Sequence, residues 1–66
     1  MKNNLVARRE QLQLTQKDVA ESVDLLTQAY QRYEYGSRAP SVTIALKIAR
    51  ALDTTVEELF ELEEGD

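Results

Sequence analysis

Cysteine and histidine are both absent from the 66 residues. Their absence excludes disulfides, the usual zinc ligand sets and every Cys- or His-based nucleophile or triad. Carboxylates and lysines are the only acid/base groups left. Glu57, Glu58 and Glu61 fall close together, but no basic, nucleophilic or metal-binding complement stands near them in the sequence, and they read as a solvated face. No catalytic activity, metal or cofactor is expected. Glycine occurs twice and proline once, which is too little for a disordered or fibrous chain. No apolar run approaches the roughly 18 residues of a membrane span, and no basic-then-apolar leader opens the chain. A cytoplasmic protein without membrane contact is therefore expected.

What is present is a composition of 42% hydrophobic and 30% charged residues, the profile of an all-α globule. The length suffices for one core and excludes a nucleotide-binding α/β sheet. The net charge of −4 conceals a division. Residues 1–52 hold all eight Lys and Arg against five acids, whereas 53–66 hold seven acids and no base. A basic body thus carries an acidic tail, so a polyanionic partner is not excluded by net charge.

Five helical segments can be placed. From about Asn3 to Leu12, Leu5, Val6 and Leu12 mark an amphipathic helix, with Leu14 closing its turn. Thr15 followed by Asp18 is a near capping box for a second helix at about 16–23, with Val19, Ala20 and Val23 on one face. The third, about Thr27 to Tyr35, sets Tyr30 and Tyr33 on one side and ends at Gly36, as a left-handed terminal residue would end it. Ser41 caps a fourth, about Val42 to Leu52, whose expected core stripe is Val42, Ala45, Leu46, Ala49 and Leu52. Thr55 with Glu58 forms a full capping box for a short fifth helix carrying Val56, Leu59 and Phe60. The alternation of Phe60-Glu61-Leu62-Glu63 permits a short terminal strand, with Asn3 to Leu5 as its partner in a β-ribbon.

The second and third helices, joined by about four residues, make a helix-turn-helix. With Tyr30 and Tyr33 inward, Thr27, Gln28, Gln31 and Arg32 share the opposite side. Gln can pair with adenine N6/N7, Arg with guanine O6/N7, and a Thr methyl with the thymine methyl. That side has the vocabulary of major-groove readout and carries no acid.

The ordered set Leu14-Thr15-Gln16, Val19-Ala20, Tyr30-x-x-Tyr33-Glu34-x-Gly36, Pro40-Ser41, Ile48-Ala49-x-Ala51-Leu52 and Glu58-Leu59-Phe60 resembles the phage-repressor and Cro-type helix-turn-helix family. The likeness runs from about Leu5 to Phe60. It implies a single domain over 1–66, with a five-helix core at about 5–60 and the acidic tail at 61–66. It also implies a sequence-specific, double-stranded-DNA-binding transcriptional regulator, a repressor before an activator, acting as a homodimer on a roughly palindromic operator in the nucleoid.

By the same resemblance, Gln16 braces phosphate and the neighbouring recognition helix, while Thr27, Gln28 and Arg32 face base edges. Gln31 takes a position nearer the groove wall. Tyr35, Ser37, Arg38 and Ser41 match the segment that meets phosphates, and Lys17 is either a further phosphate contact or a surface charge. Lys2, Arg8, Lys47 and Arg50 read as ordinary surface charges. Arg9 and Glu34 match an internal ion pair. Two departures stand out: Asp24 occupies a turn position where the family often has Gly, and Leu26 stands where a Ser or Thr cap is usual. Asp tolerates the left-handed conformation, whereas Leu cannot cap, so Thr27 is either a base reader or the cap.

A chain this short buries only about 60% of its unfolded surface, and one recognition helix spans few base pairs, so two copies are favoured. The fourth and fifth helices with Phe60-Glu61-Leu62 are the expected interface, and the acidic tail is expected away from DNA. The alternative is an antitoxin-type or adaptor protein, in which a protein partner covers those helices.

Overall fold

A computed structural model describes residues 1–66. Its elements are β1 (Lys2–Asn3), α1 (Leu5–Gln11), α2 (Gln16–Ser22), α3 (Thr27–Tyr35), α4 (Val42–Ala51), α5 (Val56–Leu59) and β2 (Phe60–Glu61). This is a five-helix fold with a two-stranded antiparallel ribbon at the termini, in the register Lys2 with Glu61 and Asn3 with Phe60. The ribbon partner is thus Lys2–Asn3 rather than Asn3 to Leu5. Asn3 ends it because its Oδ1 accepts the Leu5 amide at 3.1 Å, which starts α1 two residues later than expected.

Ten side chains form the core: Leu5, Val19, Ala20, Val23, Tyr30, Tyr33, Ile48, Ala49, Leu52 and Leu59. They come from all five helices, so each contributes an apolar face to one centre. Two expected stripes are corrected. Leu5 is the only buried residue of α1, and Val6 and Leu12 are exposed. In α4, Val42 and Leu46 are 77% and 51% exposed, and Ile48 takes the central place beside Ala45 and Ala49. The buried stripe runs Ala45, Ile48, Ala49 and Leu52 at i, i+3, i+4 and i+7, and Val42 and Leu46 fall on its flank.

Local signals set the helix ends. At α2 the capping box is reciprocal: the Thr15 hydroxyl accepts the Asp18 amide at 3.0 Å, and the Asp18 carboxylate accepts the Thr15 amide at 2.9 Å. At α5 it is one-sided, because Thr55 accepts the Glu58 amide but Glu58 does not bond back. Ser41 caps α4 by accepting the Ile44 amide at 3.2 Å.

The first four helices share one ending. A left-handed residue follows the last turn, and the amide after it bonds back five residues: Leu14 to Arg9, Leu25 to Ala20, Ser37 to Arg32 and Thr54 to Ala49. Only Gly36 (φ 76°) is a glycine; Gln13, Asp24 and Asp53 adopt φ of 58°, 59° and 53°. The bond back to C3 satisfies a carbonyl that the helix leaves orphaned, which offsets the cost of the left-handed backbone. Asp24 occupies the turn between α2 and α3 in this way, so the turn forms without the family's usual glycine.

Arg8 departs from its reading as a surface charge. It is half-buried, with Nε donating to the Leu52 carbonyl and Nη2 to the Asp53 carbonyl, each at 2.8 Å. A cation here satisfies the two carbonyls just beyond the end of α4 and opposes the negative end of its dipole.

Candidate nucleic-acid interface

α3 lies against α2, joined through Val23, Asp24, Leu25 and Leu26. Tyr30 and Tyr33 hold its inner side in the core. The opposite side presents Gln28 and Arg32 to solvent at i, i+4, with Thr27 and Gln31 half-buried at its edges. Leu26 is the residue before α3 and supplies no side-chain cap. Thr27 is the first helical residue and is not the cap. Helical spacing sets Leu26 one turn before Tyr30, yet Leu26 precedes the helix in extended backbone and is 75% exposed.

Beneath the face lies a chain of polar contacts. Arg9 grips Glu34 with two hydrogen bonds, Nε to Oε2 at 2.7 Å and Nη2 to Oε1 at 3.2 Å, and spends Nη1 on the Leu14 carbonyl at 2.9 Å. Glu34 Oε1 also accepts Gln16 Nε2 at 2.9 Å. Gln16 Oε1 in turn accepts Gln31 Nε2 at 2.9 Å. The network ties α1, the start of α2 and the middle of α3 together. Burial pushes the Glu34 carboxyl up, but hydrogen bonds from Arg9 and Gln16 outweigh it and hold the group below the usual carboxylate range. Hydrogen bonding to Glu34 raises Arg9 in return. The Tyr30 hydroxyl is buried without a hydrogen-bond partner, and burial pushes its ionisation up, so it stays a neutral phenol.

Glu34 is the one acid on α3, and it is buried and neutralised by Arg9. The outward side therefore carries positive charge from Arg32 and no negative charge of its own. Lys17, at the start of α2, reaches Glu21 at 3.9 Å with both side chains well exposed, a weak tether that leaves the ammonium accessible. Tyr35 at the end of α3 and Ser37, Arg38 and Ser41 in the loop beyond Gly36 are all exposed. Ser37 Oγ donates to the Arg32 carbonyl at 3.3 Å, and the Ser41 hydroxyl keeps its proton free while capping α4. Asn3 secures the end of α3 by donating to the Tyr33 carbonyl at 3.0 Å.

A second surface is apolar. Val42, Leu46, Val56 and Phe60 line a groove between α4, α5 and β2, with Met1 and Pro40 at its ends and Glu57 on its rim. Leu62, exposed beyond β2, extends the apolar character of this end of the molecule.

Comparison with known proteins agrees with this arrangement. The family model described as helix-turn-helix matches residues 5–59. The chain is 34% identical to an uncharacterized HTH-type transcriptional regulator, YgzD, of Bacillus subtilis, covering 97% of each chain. It is 33% identical to a second from that organism, YqaE, over 96% of this chain and 54% of the relative. It is 30% identical to the cryptic phage CTXphi transcriptional repressor RstR of Vibrio cholerae, over 89% of this chain and 53% of the relative. The chain thus spans about half the length of YqaE and RstR. No helix is long and apolar enough to cross a membrane. With the paired helices, the left-handed turn between them and the matched span from α1 to α5 in agreement, the chain belongs to the helix-turn-helix family of the Cro/C1 type, a family of non-enzymatic DNA-binding proteins.

Proposed function

We propose that this protein is a sequence-specific transcriptional regulator, acting as a repressor, that binds double-stranded DNA as a homodimer on a roughly palindromic operator in the cytoplasm. The observation that carries this reading is the outward side of α3. In a chain of net charge −4, that side holds Gln28 and Arg32, and the helix's single acid is turned inward against Arg9. That side offers hydrogen-bonding groups and one cation, with no carboxylate to repel a phosphate backbone.

α3 would enter the major groove, with Gln28 and Arg32 on base edges and Thr27 and Gln31 beside them. Leu26 would meet a thymine methyl. Gln16, Lys17, Tyr35, Ser37, Arg38 and Ser41 would contact the flanking phosphates and set register without reading sequence. The groove lined by Val42, Leu46, Val56 and Phe60 would take a second copy, and a dimer reading half-sites one turn of DNA apart needs its recognition helices about 34 Å apart. The exposure of Val42 and Leu46 supports this, since both remain uncovered within one chain.

Selection of bound fragments from a random duplex library tests the reading. A conserved half-site repeated with twofold symmetry about one helical turn apart is the expected result. Recovery of fragments without any shared sequence contradicts base readout, and a single unrepeated site contradicts the symmetric dimer. Co-purification of a second polypeptide bound over α4 and α5 would favour the antitoxin-type or adaptor alternative.

A further inference from the structure

The hydrogen bonds from Glu34 to Gln31 have a direction. Two of the Arg9 donors hold Glu34, at 2.7 and 3.2 Å, so the carboxylate is ionised and can only accept. Gln16 must therefore turn its Nε2 toward Glu34, where the distance is 2.9 Å. That leaves Gln16 Oε1 facing α3, and Gln31 must answer with its own Nε2, also at 2.9 Å. A glutamine amide ordinarily flips at little cost, because its oxygen and nitrogen ends have nearly the same shape. Here a flip at either glutamine would set oxygen against oxygen or nitrogen against nitrogen in a half-buried site. The orientation of Gln31 is thus dictated by a buried charge three residues away on the same helix.

The consequence lies at the free end of the Gln31 amide. One Nε2 hydrogen is spent on Gln16, and Oε1 has no partner within the protein and is not among its buried unpaired atoms. What remains to present to a ligand is one acceptor and at most one donor. Guanine offers two acceptors, O6 and N7, to the major groove and asks for two donors. Adenine offers the N6 donor beside the N7 acceptor, and cytosine offers the N4 donor.

We infer that Gln31 is a specificity-determining residue, locked by Gln16 and Glu34 as an outward acceptor, and that it selects adenine or cytosine and rejects guanine at one position of each half-site. The inference rests on the major-groove reading proposed above and deepens it. Gln16 acts here as a positioning residue: beyond any phosphate contact of its own, it decides which way another residue's amide points.

Selection from a random duplex library, carried out in parallel with the full-length protein and with Gln16→Met and Gln31→Met, provides the test. The unaltered protein should prefer adenine or cytosine over guanine at one half-site position by about tenfold or more. In Gln16→Met the amide is free to flip, and guanine should be accepted there within about threefold, while preferences at the other positions persist. Gln31→Met should lose the preference at the same position. A merely structural or phosphate-binding Gln16 would lower affinity for all sequences and leave the base preferences unchanged; that result overturns the inference and leaves the DNA-binding reading intact. Absence of any selected sequence with the unaltered protein overturns both.

Discussion

Arg9 and Glu34 stand 25 residues apart in the chain and meet through two hydrogen bonds of 2.7 and 3.2 Å, with the Glu34 side chain fully buried and that of Arg9 13% exposed. The pair removes the only acid of α3 from its solvent face and anchors α1 to the helix-turn-helix. Removing one partner strands a buried charge, which costs about 3–5 kcal/mol. A chain of this size has a total stability of about 3–10 kcal/mol, so Glu34→Ala should lose a third or more of it and unfold at a much lower urea concentration. Urea denaturation followed by circular dichroism checks this. A loss below about 1 kcal/mol would show that the pair is effectively solvated.

Acid should act through the same carboxyl. Its folded-state value is held below its ordinary 4.5, so the stability it contributes is fully present above about pH 4.5 and disappears as pH falls through the lower folded-state value. Urea midpoints should fall steeply below pH 4.5 and be nearly level from about pH 5 to 7. Glu34→Gln should flatten part of that slope. The remainder belongs to Asp18, held low by its bonds with Thr15, and to Asp66, held low by the Glu63 backbone amide.

The helix endings offer a stabilising change. Gln13 is exposed, at φ 58°, and holds a conformation that L side chains adopt at a cost of about 1–2 kcal/mol. Gln13→Gly removes that cost and gives back part of it as unfolded-state entropy, for a net gain of about 1 kcal/mol. Thermal denaturation should show Tm raised by about 4–8 °C.

Much of the fold was legible because its signals are local. A cap and its amide lie three residues apart, as at Thr15 and Asp18 or Ser41 and Ile44, and Gly36 and Asp24 announce left-handed turns by residue type. Contacts closed by tertiary packing were not legible. Arg8 reaches carbonyls 44 and 45 residues away, and nothing in its neighbourhood distinguishes it from a surface arginine. Periodicity also marks an apolar stripe without saying how much of it is roofed, which is why Val42 and Leu46 read as core and stand in solvent. At the candidate site, the helical period sufficed to turn Gln28 and Arg32 outward. The tie between Gln31 and Gln16 required the two helices to be docked.

The uncovered part of that stripe bears on assembly. Leu46→Glu places a charge in the apolar groove without touching the core, so the monomer's stability should change by less than about 0.5 kcal/mol. Sedimentation equilibrium should show a dimer for the unaltered protein and a monomer for the variant. Binding to a full palindrome should weaken while binding to a half-site is retained. A Leu46→Glu dimer would move the interface elsewhere.

The most direct measurement compares Arg32→Ala and Arg38→Ala on the selected duplex and on a scrambled duplex of equal length, at fixed salt. Both arginines are exposed, one on the outward side of α3 and one in the loop after it. Arg32→Ala should lose about 1–3 kcal/mol on the selected duplex and little on the scrambled one, whereas Arg38→Ala should weaken both alike and reduce the log–log salt slope by about 0.9. Equal losses on both duplexes for Arg32→Ala would contradict base reading by the α3 face.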